Sequence, residues 1–328
     1  MTYIIAEIGI NHNGNIENAI KLVKLAKKAD ANAVKLQTFE PEEVMIKSLG
    51  MAPYQKKNTT KNIFEVISNC RLSHRDHFRI KKICKELNIE LISSPFDLTS
   101  EKFLINKLKI KKIKIPSGEI TNYPLMEFLA KKNIPIIMST GMSSLKEINE
   151  TLNIFYKNGH HKNKVLLHCT TSYPTKIEAV NLKAIKTLQK RFKLEVGYSD
   201  HTNGYEAAIA ALCMGASVIE KHITLNNNSK GPDHKASLNP KNFINFCKKI
   251  REMEIMIGSG KKEINSSEVE NIKYARKSIV AKKKIFKNEK FNIKNITTKR
   301  AGVIKSAMKW PKIIGKRSKK NYEKDELI

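Results

Sequence analysis

Short apolar runs alternate with amphipathic stretches through the first 260 residues of the chain. The runs have the length of strands, and the stretches between them, such as 16–29, 73–87, 144–158 and 205–214, have the apolar spacing of helices. Strands that are apolar on both faces and separated by helices are typical of a parallel sheet covered on both sides. We therefore predict eight strands, at 3–10, 33–39, 90–95, 112–116, 134–139, 164–169, 194–198 and 217–222.

Eight strand–helix units within about 250 residues favour an α/β fold of the (β/α)8 TIM-barrel type over a doubly wound sheet. No GxGxxG motif follows a predicted strand, which argues against a dinucleotide-binding fold. The pattern ends after the Gly-Ser-Gly at 258–260, so we assign residues 1–260 to the barrel. Residues 261–278 are a polar linker with a helical piece. The short apolar elements and turn residues of 279–328 predict a small, mostly β domain. A unit of this size buries little surface alone, so we expect it to pack on a barrel, either its own or that of a partner.

Composition predicts a cytoplasmic protein. Hydrophobic residues make up 41% of the chain, and no stretch approaches the about 20 apolar residues of a membrane span. The first ten residues contain a glutamate and no basic segment, so they resemble a strand and not a signal peptide. The five cysteines are scattered and lack CxxC spacing, as expected for reduced thiols.

A net charge of +30 raises the possibility of a nucleic-acid partner. The lysines, however, are spread over nearly every predicted helix, and no recognised binding motif or interleaving of aromatic and basic residues accompanies them. We therefore predict no specific nucleic-acid partner. The charge is still expected to attract anionic small molecules.

Two histidines stand at the ends of two successive predicted strands, His201 after the seventh and His222 at the end of the eighth. If these strands are neighbours in a parallel barrel, both side chains reach the same mouth. Two imidazoles, with oxygen donors and water, suit a catalytic divalent cation with open positions. The alternative is a pair of ordinary histidines at strand ends.

Two lysines, Lys35 and Lys114, lie inside apolar strands, where a charge is unfavourable unless it has a partner. With nearby hydroxyl groups they are suited to hold a phosphate and a carboxylate together. The alternative is that each lysine points outward between helices. Glu7, Glu119 and Glu220 also lie in apolar strand contexts, as a general acid or base with a raised pKa or as structural partners of a lysine. The candidate hydroxyl groups are those of Ser94, Ser117, Ser139 and Ser199.

Nine segments resemble, in order, the sialic acid synthase family. They are AEIGINHNG (6–14), VKLQTF (34–39), SSPFD (93–97), KIPSGEITN (114–122), STGM (139–142), LHCTTSYPT (167–175), GYSDHT (197–202), EKHITL (220–225) and GPDHKAS (231–237). The end of the chain, with SIVAKKKIFKNE, TTKRAG and DELI, resembles the family's C-terminal antifreeze-like (SAF) domain. The resemblance therefore covers nearly the whole chain.

The resemblance implies condensation of phosphoenolpyruvate with an N-acylated mannosamine-type sugar, with a divalent metal that is usually Mn²⁺ and for which Mg²⁺ or Co²⁺ are alternatives. It implies that His201 and His222 bind the metal, and we assign proton transfer to Glu119. The phosphoenolpyruvate positions are Lys35, Lys114, Ser94, Ser117, Ser139 and Ser199. The sugar positions are Glu7, Gln37, Tyr173 and Asp233.

The resemblance also implies a domain-swapped homodimer, in which the SAF domain lies over the partner's barrel and Arg300 reaches the sugar's acyl group. The family often reads KRPGNG around this arginine, whereas this chain has KRAGVI at 299–304. The loss of Pro and of Asn-Gly changes the turn chemistry, so the direction of Arg300 is less constrained here.

We expect N-acetylneuraminate as the product. The close alternative has the same mechanism and uses a 2,4-diacetamido-2,4,6-trideoxyhexose to form legionaminic or pseudaminic acid. Two alternatives belong to other classes. One is an aldolase that forms a Schiff base through a lysine, and the other is a non-catalytic carbohydrate-binding protein.

Overall fold

Eight parallel strands close into a barrel in the order in which they occur along the chain. The structure is a computed structural model that describes residues 1–49 and 62–328. Every predicted strand overlaps an observed one, so the predicted TIM barrel is confirmed. The strands are β1 (Tyr3–Gly9), β2 (Ala33–Thr38), β3 (Glu90–Pro95), β4 (Ile113–Ile115), β5 (Ile136–Ser139), β6 (Lys164–Cys169), β7 (Glu195–Asp200) and β8 (Val218–His222).

Helices follow the strands and cover the outside of the barrel. The helix Leu145–Lys157 shows how the sequence sets the position of such a helix. Its first turn is closed by a capping box between Ser144 and Glu147, and the buried residues Ile148, Leu152 and Phe155 recur on one face. The helices of this unit are α1 (Ile16–Lys28), α2 (Pro41–Val44), α3 (Ile63–Ser68), α4 (His74–Glu86), α5 (Leu98–Lys102), α6 (Tyr123–Ala130), α7 (Leu145–Lys157), α8 (Ala184–Phe192), α9 (Glu206–Cys213) and α10 (Pro240–Ile257).

The interior of the barrel changes from apolar to polar along the strands. A small apolar cluster fills the part near the amino ends of the strands, and it includes Ile5, Ile92 and Ile137. Two residues further along the same strands stand Glu7, Ser94 and Ser139, all of which are buried. Because side chains alternate between the two faces of a strand, these polar groups lie directly above the apolar layer. The polar layer is therefore at the carboxyl ends of the strands.

The chain divides into two compact units, residues 1–258 and 259–328. The second unit contains α11 (Val269–Ala275), β9 (Lys277–Ala281), β10 (Ile296–Arg300) and α12 (Trp310–Ile313). Strands β9 and β10 pair in antiparallel fashion and, with Ile285 and Phe291, supply the unit's small apolar core. The assignments of a linker at 261–278 and of an SAF domain at 279–328 stay predictions. None of the described helices is long and apolar enough to cross a membrane.

Candidate active site

A cavity of about 260 Å³ opens at the carboxyl ends of the barrel strands. It brings together most of the residues that the sequence nominated, although they come from six different strands or the loops that follow them. Those that line it are Lys35, Gln37, Lys114, Ser117, Ser139, Tyr173, Ser199, His201, Glu220, His222 and Asp233.

The bottom of the cavity is a charged floor of four buried residues, Glu7, Lys35, Lys114 and Glu220. The Nζ of Lys35 lies 2.6 Å from the carboxylate of Glu7 and 3.8 Å from that of Glu220. The Nζ of Lys114 lies 3.0 Å from the same oxygen of Glu220. Both lysines therefore point into the barrel, and neither points outward between helices.

Hydroxyl and amide groups complete the floor. Ser94, which does not itself line the cavity, lies 3.3 Å from the Nζ of Lys35. Ser199 donates a hydrogen bond to Glu220 at 3.0 Å, and Gln37 donates to Glu7 at 3.1 Å. These contacts place the nominated residues Glu7 and Ser94 in one network with Lys35.

The strong interactions within the floor determine its protonation. Burial alone would raise the pKa of Glu220, but the ammonium groups of Lys114 and Lys35 hold it at about 2, so Glu220 is a carboxylate. For Glu7, burial outweighs the attraction of Lys35, and its pKa is raised. Burial also lowers the pKa of Lys114, although Glu220 opposes this effect. Glu220 is thus the counter-charge that both lysines share.

The two histidines lie side by side at the cavity's rim, with ring centroids 5.4 Å apart. Nδ1 of His201 lies 2.8 Å from the carbonyl oxygen of Thr170. A carbonyl can only accept, so Nδ1 carries the proton and Nε2 keeps its lone pair. Burial lowers the pKa of His201 to about 4 and that of His222 well below its usual value, so both rings are neutral at pH 7.

A divalent cation fits this pair. Neutral imidazoles are the form that binds metals, and the hydrogen bond from His201 to Thr170 is the kind of contact that orients a metal-binding histidine. Nδ1 of His222 is buried without a hydrogen-bond partner among the described residues. The described residues contain no group of three or more His, Cys, Asp and Glu side chains arranged to hold a metal. Substrate and water would therefore supply the remaining ligands, as in catalytic metal sites.

Two of the sugar-binding candidates, Tyr173 and Asp233, lie beside the histidines. The ring of Tyr173 lies 4.3 Å from that of His201 and 5.8 Å from that of His222, measured between centroids. A carboxylate oxygen of Asp233 lies 3.9 Å from Nδ1 of His222. Burial, with a smaller contribution from the charge of Glu7, raises the pKa of Asp233 to about 7.

Two further nominated residues, Glu119 and Arg300, are not among the described lining residues of the cavity. Glu119 is in the turn Ser117–Glu119 and does not belong to the described lining of the cavity; its carboxylate accepts a hydrogen bond from Asn122 at 2.6 Å. Burial raises its pKa. Arg300 ends β10 in the second unit, where it is exposed.

Some residues of the site have contacts that the sequence did not predict. Glu220 was noted as a carboxylate, but its bridging of two lysines depends on pairing across the barrel. Gly9 was not singled out, although it follows a bulge in β1 and has φ +36°. A Cβ there would lie 2.3 Å from the carboxylate of Glu7, so only glycine leaves room for this side chain. An apolar wall formed by Ile10, Ile67 and Phe96 also lines the cavity and was missed.

A family model and the relatives of known name agree on the family to which this chain is similar. Residues 22–262 match the model of the NeuB family. The chain is 46% identical to an N,N'-diacetyllegionaminic acid synthase from Campylobacter jejuni over 100% of this chain and 98% of the relative. It is 34% identical to the human N-acetylneuraminate-9-phosphate synthase over 86% of this chain and 79% of the relative.

A solved structure agrees with these relatives. The N-acetylneuraminic acid synthetase from Leptospira borgpetersenii, in complex with citrate, superposes with a TM-score of 0.73 at 31% sequence identity. The match covers 83% of this chain and 90% of that chain.

Proposed function

The chain belongs to the NeuB family of sialic acid synthases, and from this premise we propose that its product is N,N'-diacetyllegionaminate. As a member of this family it is a transferase-type enzyme that condenses phosphoenolpyruvate with a sugar. The proposed sugar is 2,4-diacetamido-2,4,6-trideoxymannose. It is supported by two relatives, from Campylobacter jejuni and Legionella pneumophila, that are named as N,N'-diacetyllegionaminic acid synthases and are 46% and 40% identical.

This proposal replaces the product that the motifs alone led us to expect. N-Acetylneuraminate was the first expectation and the diacetamido sugar its alternative. The human relative named for N-acetylneuraminate 9-phosphate is 34% identical and a Campylobacter jejuni pseudaminic acid synthase 33%, both below the legionaminic acid synthases. The comparisons therefore favour the alternative.

The charged floor is the observation that best supports a reaction of phosphoenolpyruvate. Lys35 and Lys114 are buried and close to each other, and each is paired with a carboxylate. The hydroxyl of Ser139 is buried nearby without a hydrogen-bond partner among the described residues. Two ammonium groups with convergent hydroxyls are suited to a small molecule that carries both a phosphate and a carboxylate. We propose that phosphoenolpyruvate binds here.

The histidine pair lies at the rim, where the aldehyde of an open-chain sugar would meet the bound phosphoenolpyruvate. In the proposed reaction, C3 of phosphoenolpyruvate forms a bond to the aldehyde carbon and the aldehyde oxygen gains a proton. Water adds at C2 and loses one proton; as the C2–O bond to phosphate breaks, the remaining hydroxyl at C2 loses its proton to the departing phosphate and becomes the carbonyl. A divalent cation, proposed to be Mn²⁺, would be held by His201 and His222 and would supply Lewis-acid polarisation of the aldehyde.

We retain Glu119 as the proposed proton-transfer residue. Burial raises its pKa, which favours a carboxyl group that can give as well as take a proton. Its carboxylate contacts Asn122, so the proposal requires a side-chain rotation toward Ser117, which lies two residues away and lines the cavity.

Phosphate release tests the proposed function. The protein is incubated with phosphoenolpyruvate, Mn²⁺ and one of three sugars: 2,4-diacetamido-2,4,6-trideoxymannose, its altrose isomer or N-acetylmannosamine. We expect release with the first sugar at a rate well above the other two. Faster release with N-acetylmannosamine would restore the first expectation, and release with the altrose isomer would indicate a pseudaminic acid synthase.

A further inference from the structure

We propose that the apolar wall formed by Ile10, Ile67 and Phe96 selects an acceptor sugar that carries a methyl group where N-acetylmannosamine carries its primary alcohol. This inference rests on the proposed function, because it concerns the acceptor of the same reaction. It identifies the part of the molecule that distinguishes a 6-deoxy sugar from a fully hydroxylated one.

The apolar wall comes from three separate segments that meet at one side of the cavity. Ile10 directly follows β1, Ile67 lies on α3 and Phe96 directly follows β3. All three line the cavity that contains Lys35 and His222. The wall is therefore part of the same cavity as the charged floor and the histidine pair.

Packing behind the apolar wall holds it in place. Ile10, Phe39 and Cys70 form a buried cluster, against which Ile67 and Phe96 pack. The rings of Phe39 and Phe96 meet edge to face, with centroids 6.4 Å apart. Ile10 is 5% exposed, so its side chain has little room to turn away. A fixed wall of this kind gives the same apolar surface to every ligand.

The distribution of polar groups indicates which part of the sugar meets the wall. The floor lysines match the anionic groups of phosphoenolpyruvate, and the histidines lie where the aldehyde must be. Hydroxyl groups line the part of the cavity that comes from β4 to β7, among them those of Ser117, Ser139 and Ser199. Isoleucine and phenylalanine side chains have no hydrogen-bond donor or acceptor. The wall therefore suits the end of the sugar that lacks a hydroxyl group.

The size of the selectivity follows from the chemistry. A hydroxyl group that loses water and meets only carbon atoms is left without a hydrogen bond, whereas a methyl group gains by burial. Hydrophobic pockets reject a ligand that merely adds a hydroxyl by about 100-fold at most. We expect a preference of up to about 100-fold in kcat/KM for the 6-deoxy sugar.

Two sugars that differ only at C6 isolate this effect. N-Acetylmannosamine and 2-acetamido-2,6-dideoxymannose are compared in the wild-type protein and in Ile67→Thr, which places a hydroxyl in the wall and keeps a β-branched side chain. We expect the wild-type ratio of kcat/KM to favour the 6-deoxy sugar and the ratio to fall by about tenfold in the variant. The KM for phosphoenolpyruvate should stay within about twofold, because the floor is unchanged.

Ile255→Thr is the matched control. Ile255 also lies on a helix, α10, but it is 81% exposed and does not line the cavity. In Ile255→Thr, the ratio of kcat/KM for the two sugars should equal that of the wild type. Phe96→Tyr adds a hydroxyl at a second place in the wall without removing carbon atoms. If Ile67→Thr does not fold, the ratio of kcat/KM measured in Phe96→Tyr tests the role of the wall.

The outcomes separate this inference from the proposed function. An unchanged ratio in folded, active Ile67→Thr and Phe96→Tyr would overturn the role of the wall. Equal kcat/KM of the wild-type protein for the two C6 sugars would do the same, while leaving the synthase reaction intact. No phosphate release from any sugar, including the diacetamido sugar, would instead contradict the proposed function.

Discussion

At the residue scale, Glu220 explains how two lysines are kept inside a barrel. Each buried ammonium needs a counter-charge, and a single carboxylate oxygen lies 3.0 Å from Lys114 and 3.8 Å from Lys35. Its second oxygen is buried and has no hydrogen-bond partner among the described residues. Glu220 therefore compensates only part of the charge of the two lysines, and an incoming phosphate competes with Glu220 for them.

Lys114→Met tests the contribution of one lysine to phosphoenolpyruvate binding. Loss of a hydrogen bond to a charged group costs about 1.5–3 kcal/mol, which is about tenfold to hundredfold in affinity. We expect the KM for phosphoenolpyruvate to rise by about this factor. Steady-state kinetics of phosphate release measures it.

Lys112→Met is the control for this substitution. Lys112 directly precedes β4 and pairs with Glu90 at 3.1 Å, but it does not line the cavity. Its KM should match that of the wild type. A KM that rises equally in both variants would mean that the effect comes from a general loss of positive charge and not from contact with the substrate.

A buried histidine away from the cavity makes stability depend on pH. Burial lowers the pKa of His12 to about 4, whereas an unfolded histidine has its usual value of 6.5. As the pH falls, His12 therefore binds a proton at a higher pH in the unfolded chain than in the folded protein. The stabilisation is complete above pH 6.5 and is lost as the pH falls through 4. A shift of this size corresponds to about 3 kcal/mol.

Urea unfolding between pH 7 and pH 4 measures this contribution. In His12→Gln the loss of unfolding free energy over this range should be smaller than in the wild type by about 3 kcal/mol. His161→Gln, at an exposed histidine, serves as the control. Parallel pH curves for the wild type and His12→Gln would show that His12 titrates alike in the folded and unfolded states.

At the scale of elements, an ion pair links β7 and β8 at the residues that immediately precede the two histidines in the sequence. Asp200 and Lys221 are register partners, and both side chains are 0% exposed. The Nζ of Lys221 lies 2.9 Å from Asp200 and donates to the carbonyl of Thr202 at 2.7 Å. Each member of this pair is adjacent to a histidine, so the contact sets the relative position of the strand ends.

Removing one member of this pair leaves a buried charge without a partner. Such changes cost about 3–5 kcal/mol, and we expect this loss for Lys221→Met. The double variant Asp200→Asn/Lys221→Met should lose less than the sum of the single variants. A double-mutant cycle of urea unfolding measures the difference. Additive losses would show that the two side chains act independently.

The elements of the barrel were predictable because parallel strands buried on both faces are apolar along their whole length. The predicted strand at 90–95 coincides with β3, and that at 33–39 differs from β2 only by Phe39. Local departures were not predictable. The bulge after Glu7 and the π-helical turn Phe103–Lys107 arise from packing and have no periodic signal.

The candidate site shows a similar limit. The strand-end rule located His201 and His222, because a parallel barrel places all carboxyl ends at one mouth. It did not reveal that Glu220 pairs with Lys114, residues that are 106 positions apart. Apolar cavity residues such as Ile67 also look the same in a sequence as residues of the core, so the apolar wall needed the structure.

At the scale of the whole molecule, the barrel and the second unit each have an apolar core of their own. The exposed side chain of Arg300 lies at the end of a strand whose other end is anchored by buried Ile296. This arrangement is compatible with the proposed domain-swapped homodimer, in which Arg300 serves the site of the partner subunit.

Mixing two inactive variants tests this proposal. Arg300→Ala and His222→Ala should each have little activity, since one lacks the sugar contact and the other a metal ligand. If Arg300 acts on the partner's barrel, a heterodimer has one site with both defects and one with neither. After unfolding and refolding an equal mixture, half of the dimers are of this kind, and about a quarter of the wild-type activity should return. An Arg300→Ala/His222→Ala double variant mixed with either single variant is the control, because none of its dimers contains an intact site. If Arg300 served its own barrel, every site in the first mixture would carry one defect, and its activity would stay at the level of the single variants.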